Sequence, residues 1–252
     1  MFVYAWLITR SEQTNRMDNF FQQWRTYRTV VDQGYMGHNS IADNILRQIE
    51  PLSQGLDILD LGCGDAEVFF QLLPELTVNV YRGVDSSAAA LEVLTRRFNG
   101  RDVAFQLDCQ DMMDFLSSCD GQFDIILAGF CIHHLSFDDK KRCLEMAYRC
   151  LREHGVMFIY DVFLQPGESR QRYLANYLAY MHSNWTAMSV RELEALSAHI
   201  TDCDFPEEVQ TFRQWSEDAG FKQVSNLWEG EWHSHKLLQL KRGDGTVAVT
   251  SP

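Results

Sequence analysis

Short apolar runs alternate with amphipathic stretches along most of this chain. The runs are nearly continuous in Val, Ile, Leu and Phe, which is typical of parallel strands that are covered on both faces. They lie at Asp57–Gly62, Asn79–Asp85, Val103–Asp108, Phe123–Phe130, Gly155–Phe163, Phe221–Trp228 and His235–Lys241. Helical patterns lie between them, notably at Ser86–Phe98 and Lys140–Leu151. This alternation predicts an α/β fold with a doubly wound, mostly parallel seven-stranded sheet of the Rossmann-like type.

Two stretches depart from the alternation, and they set the predicted domain organisation. Residues 17–50 are predicted to form a helical cover, and residues 166–219 a continuous helical pattern with a capping box at Ser189–Glu192. This insertion would sit at the carboxyl edge of the strands, where open α/β sheets bind ligands, so it is predicted to act as a lid. The rest is predicted as a core at 51–165 and 220–242, a loosely attached segment at 1–16 and a tail at 243–252.

The chain is acidic, and this narrows the classes of partner. It has 22 Lys and Arg against 35 Asp and Glu, a formal net charge of -13. Such a surface repels phosphate backbones and anionic lipid, so neither nucleic acid nor a membrane is expected as a partner. The seven cysteines include no CxxC pair, which disfavours zinc-ligand spacing and a disulfide framework and favours a reducing, cytoplasmic location. We expect a small-molecule partner, and the oligomeric state stays open.

A glycine turn follows the first predicted strand, in the segment ILDLGCGDAE that begins at residue 58. Gly62 and Gly64 allow the backbone to turn sharply and to approach a ligand without an intervening Cβ atom. A dinucleotide fingerprint needs a third glycine where this chain has Glu67, a bulky and negative residue. Asp60 and Asp65 add two further carboxylates. Three acids around one turn favour a ligand that carries positive charge.

The acid and the glycines of this turn match a known motif. The pattern D-x-G-x-G at Asp60, Gly62 and Gly64 resembles motif I of the class I S-adenosylmethionine-dependent methyltransferases, with Ala66 in place of the family's last glycine. The resemblance implies S-adenosylmethionine as the cofactor. It also implies that Asp60 meets the methionyl ammonium group and that the loop backbone, including Cys63, covers the cofactor.

Further matches follow in the family's order over about residues 57–162. They imply that Asp85, with Ser86 beside it, holds the ribose, because a carboxylate accepts hydrogen bonds from two vicinal hydroxyls. They also imply that Asp108 accepts from the exocyclic amine of adenine. The remaining implied contacts come from the backbone of Cys109 or Gln110 and from the ring of Phe130.

Four side chains are candidates for catalysis. Methyl transfer from a sulfonium is an in-line displacement, so the protein mainly aligns the reactants and keeps water out. A general base is needed only where the acceptor loses a proton. The candidates are Tyr35 and His38, in a loop with two glycines, and His133 and His134, after the fourth strand. We favour His134 over its neighbour, although a hydrogen bond to loop backbone would explain either imidazole equally well. No metal site is predicted.

The sequence therefore predicts a class I S-adenosylmethionine-dependent methyltransferase that acts on a small-molecule acceptor by in-line methyl transfer. Nitrogen, oxygen, sulfur and carbon acceptors are all compatible with it. One alternative is an NAD-dependent oxidoreductase on the same sheet, against which Glu67 and the acidic turn weigh. A second alternative is a non-catalytic protein that binds S-adenosylmethionine as a sensor.

Overall fold

A computed structural model describes residues 25–49, 55–119 and 123–243 of the chain. The predicted segment 1–16 and nearly all of the predicted tail 243–252 lie outside these residues. The described part contains one seven-stranded sheet with the order β3-β2-β1-β4-β5-β7-β6, in which only β7 runs antiparallel to the rest. The strands are β1 Leu56–Leu61, β2 Val78–Asp85, β3 Ala104–Cys109, β4 Phe123–Gly129, β5 Leu151–Val162, β6 Gln223–Glu229 and β7 His235–Lys241.

Helices connect the strands and precede the sheet. Residues 25–32 are helical and are called α1. The others are α2 His38–Leu46, α3 Glu67–Leu72, α4 Ala88–Phe98, α5 Met112–Ser117, α6 Phe137–Cys150, α7 Arg170–Asn184, α8 Val190–Cys203 and α9 Val209–Ala219. Short 3-10 turns lie at Leu73–Glu75 and Ile132–His134. Serine side chains cap several helices, which satisfies the free N–H groups of the first turn.

Two apolar clusters cover the two faces of the sheet. One face packs against α5, α6 and α9, and the other against α2, α3 and α4. The pleat of β1 shows the division: Ile58 belongs to one cluster and its neighbour Leu59 to the other, and both are fully buried. Helices on both faces of a mostly parallel sheet confirm the predicted doubly wound α/β fold.

A third apolar cluster joins the beginning of the chain to the helical insertion, residues 166–219. It contains Val30 from α1, Val162 from β5, and Tyr173, Tyr177 and Met181 from α7, together with residues of α8. The N-terminal cover (the described residues 25–49) therefore packs against the insertion where β5 ends. This packing encloses space over the carboxyl edge of the sheet.

The element boundaries differ from the sequence prediction most at two places, and elsewhere by one to three residues. Strand β5 begins at Leu151, four residues before the predicted Gly155, because Leu151 pairs with Phe123 of β4 and is fully buried in the core. The helical pattern predicted as continuous across 166–219 is broken into α7, α8 and α9. The predicted capping box at Ser189–Glu192 is present and starts α8.

Among the described residues there is no helix whose length and hydropathy would suffice to traverse a bilayer.

Candidate active site

The glycine turn after β1 adopts backbone conformations that favour glycine. Gly62 and Gly64 have φ angles of 60° and 54°. Ala66 also has a positive φ, 55°, which costs an alanine about 1–2 kcal/mol and which a glycine would adopt freely. The N–H of Cys63 donates to the carbonyl oxygen of Val84 (3.1 Å), so the turn is tied to β2. The turn thus presents bare backbone at the carboxyl edge of the sheet.

A cavity opens at this edge, and the free space in it, together with its open mouth, is about 890 Å³. Its floor is formed by the glycine turn and by the ends of β4 and β5, and its walls by the N-terminal cover and the helical insertion. Residues that line it include Gly62, Cys63, His38, Phe130, His133 and His199. Backbone from the turn and side chains from the insertion therefore face the same space.

Two of the three acids around the turn are neutralised by arginines. Asp65 lies 3.2 Å from the Arg28 guanidinium and 3.0 Å from that of Arg97, and Glu67 lies 2.8 Å and 3.0 Å from the same two groups. The Tyr27 hydroxyl also donates to Asp65 (3.1 Å). The expectation that all three carboxylates attract a cationic ligand is therefore corrected: the charges of Asp65 and Glu67 stabilise the contact of α1 and α4 with the turn.

Asp60, the third acid of the turn, has a negative charge that burial makes unfavourable. Its side chain is 2% exposed, and the Tyr81 hydroxyl donates to it at 2.9 Å. Burial, reinforced by the nearby Asp85 and Asp65, raises the pKa of Asp60 from 3.8 to about 7, although the Tyr81 hydrogen bond lowers it. Asp60 lies behind the glycine turn and is not among the residues that line the cavity.

Asp85 ends β2 and holds two backbone segments together. One carboxylate oxygen accepts from the N–H of Gly64 (3.0 Å) and the other from the N–H of Ser87 (2.8 Å), and the residue is 3% exposed. The hydroxyl of Ser86 is buried and has no hydrogen-bond partner in the structure. An unsatisfied hydroxyl beside a buried carboxylate is a natural place for a ligand hydroxyl.

The residues at the end of β3 make internal contacts. Asp108 forms a two-point ion pair with Arg82, at 2.8 Å and 3.2 Å. The N–H of Gln110 donates to the carbonyl oxygen of Asp108 (3.2 Å), and the Cys109 thiol lies 3.8 Å from the carbonyl oxygen of Ser86. Since Cys109 pairs with Asp85 in the sheet, the ends of β2 and β3 are adjacent. None of these side chains lines the cavity itself.

Of the two adjacent histidines, His133 lines the cavity. Its Nδ1 contacts the Asp161 carboxylate, and its Nε2 lies 3.4 Å from Asp204. Burial alone would lower the pKa of His133, but the charges of Asp161 and Asp204 outweigh it and raise the pKa to about 10. The 3-10 turn that carries the pair directs the two rings differently, so one of them faces Asp161.

The other ring contacts the insertion. Nδ1 of His134 lies 3.0 Å from the carbonyl oxygen of Cys203, at the end of α8. Burial, together with the charge of His133, lowers the pKa of His134 far below its ordinary value, so the ring is neutral. The structure therefore reverses the preference for His134: His133 is the histidine on the cavity wall, because the carbonyl of Cys203 engages its neighbour.

The two candidates from the N-terminal cover have different surroundings. The ring of Tyr35 stacks on Trp185 (4.9 Å between centroids), and its hydroxyl accepts from the N–H of Ala187 (2.9 Å). His38 begins α2, lines the cavity 5.5 Å from the Phe130 ring, and has a buried Nδ1 without a hydrogen-bond partner. Burial lowers the pKa of His38 to about 4, which leaves a neutral imidazole in the cavity.

Several residues of the cavity wall were missed from the sequence, and three of them bring polar groups. Trp185, His199 and Asp204 come from the helical insertion and line the cavity. The Nε1 of Trp185 and the Nε2 of His199 are buried without a hydrogen-bond partner. No local motif marks them, since their role depends on how the insertion docks on the sheet.

The residues at the sheet edge fit an adenosylated methionine. The glycines of the turn leave room for a ligand against the backbone, and the cavity begins at Gly62 and Cys63. The buried Ser86 hydroxyl has no hydrogen-bond partner within the protein, so a ligand could provide one. Residues that could hold this cofactor are Asp60, Gly62, Cys63, Gly64, Asp85, Ser86, Asp108, Cys109, Gln110 and Phe130. The sheet order and this edge define a Rossmann-like ligand-binding fold.

Comparisons with known proteins agree with this class. Residues 58–155 match the family model described as "Methyltransferase domain". This match over the central part of the chain confirms the predicted resemblance to the class I S-adenosylmethionine-dependent methyltransferases, a family whose methyl donor is S-adenosylmethionine.

Individual relatives are distant. An arsenite methyltransferase from Aquipseudomonas alcaligenes is 33% identical over 122 residues, 44% of this chain and 34% of that protein. A 27-O-demethylrifamycin SV methyltransferase from Amycolatopsis mediterranei is 24% identical over 188 residues, 71% of this chain and 65% of that protein. This chain thus spans less than two thirds of both. A solved O-methyltransferase family protein from Burkholderia thailandensis has a TM-score of 0.63 at 12% identity, with 93% of this chain and 61% of that one covered, and shows the same fold.

Proposed function

We propose that this protein transfers the methyl group of S-adenosylmethionine to a small-molecule acceptor inside the cavity. The observation that carries the proposal is the continuity of the cavity, which runs from the backbone of Gly62 and Cys63 to the side chains of the helical insertion. A donor on the turn and an acceptor under the insertion would share this one space, which would bring the two reactants together.

The proposed cofactor contacts follow the edge of the sheet. The backbone of the turn covers the methionyl part, and the charge of the buried Asp60 attracts the ammonium group from behind the turn. Asp85 accepts hydrogen bonds from the ribose hydroxyls, and Ser86 donates one to them. Asp108, Cys109 and Gln110 receive the adenine at the end of β3. Support comes from the left-handed glycines and from the unpartnered Ser86 hydroxyl.

When bound, S-adenosylmethionine supplies an activated methyl group on a sulfonium. The chain's own part is to hold the acceptor in line, to exclude water and, for a protic acceptor, to take its proton. His38 suits the last role among the predicted candidates, because it lines the cavity and its neutral ring has an Nδ1 without a hydrogen-bond partner. Tyr35 acts in this proposal through its contact with Trp185, which positions the cover against the insertion.

We also propose that the protein is cytoplasmic and that its acceptor is a small molecule. The acceptor class is supported by the cavity and by two of the curated relatives, whose names give arsenite and a demethylrifamycin as acceptors. The location is supported by seven free cysteines, five of them buried.

The proposal is tested by titrating the purified protein with S-adenosylmethionine and with NAD⁺ in a calorimeter. Cofactor labelled in its methyl group is then incubated with the protein and a metabolite extract, and the labelled product is identified by mass spectrometry. Binding of S-adenosylmethionine with a labelled small product is expected. Binding without any labelled product in extracts from several sources would favour the sensor alternative, and binding of NAD⁺ alone would favour the oxidoreductase.

His38→Gln should separate binding from chemistry. With the acceptor that the labelling identifies, we expect the rate of methyl transfer to fall at least about 100-fold if that acceptor is protic, because general bases contribute that much or more. The affinity for S-adenosylmethionine should change little. His182→Gln is the matched control, since His182 is an exposed histidine of α7 that bonds to Ser197. Equal rates in the two variants would remove His38 from the mechanism.

A further inference from the structure

Two histidines and an aspartate from different elements converge beside the cavity. His133 and His134 belong to the 3-10 turn after β4, and Asp204 is the residue that follows α8. One nitrogen of each ring and one carboxylate oxygen all lie within 4.8 Å of one another. We propose that these three side chains bind one divalent transition-metal ion of the type of Zn²⁺. The proposal goes beyond methyl transfer and does not depend on it.

The distances from Asp204 to the two histidines are close to those of a tetrahedral site. Nε2 of His133 lies 3.4 Å from Oδ1 of Asp204, and Nδ1 of His134 lies 3.9 Å from the same oxygen. Bonds of about 2.0–2.1 Å from zinc to nitrogen and oxygen place tetrahedral ligands about 3.4 Å apart. The first pair already fits, and the second needs to close by about 0.5 Å, for which His134 exchanges its contact with the Cys203 carbonyl for the metal.

Asp161 holds His133 in the orientation that a metal ligand needs. Its carboxylate contacts Nδ1 of His133, and it is fixed in turn by the N–H groups of Ile132 (3.1 Å), His133 (3.2 Å) and Val162 (2.8 Å). A metal ion that binds Nε2 displaces the proton from that nitrogen, which faces Asp204, while the proton on Nδ1 stays with Asp161. Metal-binding histidines in proteins are oriented in this way by a carboxylate on the second nitrogen.

The charge of the cluster favours a cation. Asp161 and Asp204 are 1% and 4% exposed, so both carboxylates are removed from water. Within the described residues, the ion pairs of these two carboxylates involve only the two histidines, and no lysine or arginine. Buried carboxylates are stable when paired or when they coordinate a metal, and a divalent ion would compensate both charges.

The donor set selects the kind of ion. Two imidazoles and one carboxylate suit Zn²⁺ and its transition-metal neighbours, whereas Mg²⁺ and Ca²⁺ prefer oxygen ligands alone. Three protein ligands leave a fourth position, and His133 and Asp204 line the cavity. The ring of His199 lies beside the cluster, 5.5 Å from that of His134, and its buried Nε2 has no hydrogen-bond partner. His199 or an acceptor atom could therefore occupy this position.

The test uses the full-length protein, stripped of metal with a chelator and dialysed. Titration with Zn²⁺ in a calorimeter should give one ion per chain. Substitutions His133→Ala and Asp204→Ala should each weaken binding at least about 100-fold, and Asp161→Asn about 10–100-fold, since it only orients a ligand. His182→Ala, at an exposed site on α7, should bind as the unmodified protein does.

Thiols are the competing ligands, because Cys203 adjoins Asp204 and Cys109 is exposed. Co²⁺ separates the two cases: coordination by nitrogen and oxygen gives visible bands without the near-ultraviolet absorption of a thiolate complex. X-ray absorption of the zinc-loaded unmodified protein gives the same distinction where a variant fails to fold. A nitrogen and oxygen shell that is lost in His133→Ala and Asp204→Ala supports the site. A sulfur shell, binding that survives both substitutions, or no binding of Zn²⁺ and Co²⁺ by the folded protein would overturn it.

Discussion

Asp85→Ala should weaken the binding of S-adenosylmethionine by about 1–3 kcal/mol, a factor of roughly 5 to 150 in Kd. The carboxylate accepts from the N–H groups of Gly64 (3.0 Å) and Ser87 (2.8 Å), so it fixes the glycine turn to the start of α4. Removing it leaves two backbone donors without an acceptor in a buried place and takes away the anionic acceptor proposed for the ribose. Calorimetry of the purified variant measures the loss.

Two companion variants show whether the loss comes from this carboxylate. Asp85→Asn keeps one acceptor oxygen and should fall between the alanine variant and the unmodified protein. Asp102→Ala removes an exposed acid just before β3, at the amino end of that strand and away from the proposed cofactor site at its carboxyl end. This substitution should leave the affinity for S-adenosylmethionine unchanged. If Asp85→Ala is folded, as judged from its melting curve, and binds the cofactor normally, the ribose lies elsewhere.

The fold could be predicted from the sequence because the sheet is buried on both faces. Strands such as β1 and β4 then become continuous apolar runs, and a parallel order with helical crossovers follows from their alternation with helices. The boundary at Leu151 was not predictable in this way. A leucine that ends a helical face and one that begins a strand have the same polarity, and only the pairing with β4 decides between them.

The positions of the cofactor residues were predictable for a similar reason. Parallel strands end at one edge, so acids at the ends of β1, β2 and β3 are brought together by topology alone. Their partners were not predictable. Arg28 neutralises Asp65 from a helix far away in the sequence, and Arg82 pairs with Asp108 across neighbouring strands. A net count of carboxylates therefore overstated the negative charge that a ligand would meet.

The acceptor side depended on tertiary packing that leaves no local pattern. The choice between His133 and His134 is decided by Asp161 on β5 and by the Cys203 carbonyl on the insertion. His199 and Asp204 were missed because polar residues on an amphipathic helix read as a solvated face until the docking of that helix is known. For a site built from a sheet edge and an insertion, the sequence therefore predicts the residues at the sheet edge but not those of the insertion.

Asp60 carries a cost in the folded protein that depends on pH. Its pKa is about 7 when folded, against 3.8 without the fold, because burial disfavours the charged form. Between about pH 4 and 7 the folded state keeps a proton that the unfolded state has released, so the free energy of unfolding falls as the pH rises through this window. Above pH 7 the full cost is present, and at pH 4 it is absent. In our proposal a cationic ligand offsets this cost by placing its ammonium group beside the carboxylate.

Asp60→Asn should therefore make the ligand-free protein more stable and the complex weaker. At pH 8, removing the buried charge stabilises the folded state by about 4 kcal/mol, the free energy that corresponds to the shift in pKa. Burying the new amide NH₂ group costs about 1–3 kcal/mol, so the free energy of unfolding should rise by about 1–3 kcal/mol. At pH 4 only the cost of the buried amide remains, so the variant should be about 1–3 kcal/mol less stable than the unmodified protein. The affinity for S-adenosylmethionine at pH 8 should fall about 10-fold or more, because a charge-assisted contact is lost. Urea denaturation at both pH values measures the change in stability, and calorimetry measures the change in affinity.

Tyr81→Phe is the matched variant: it removes the hydroxyl that donates to Asp60 at 2.9 Å but keeps the charge of Asp60, so it should lower stability at pH 8. A loss of stability in Asp60→Asn that is the same at both pH values would mean that the carboxylate is not strained by burial, since only a group that titrates between them gives opposite results.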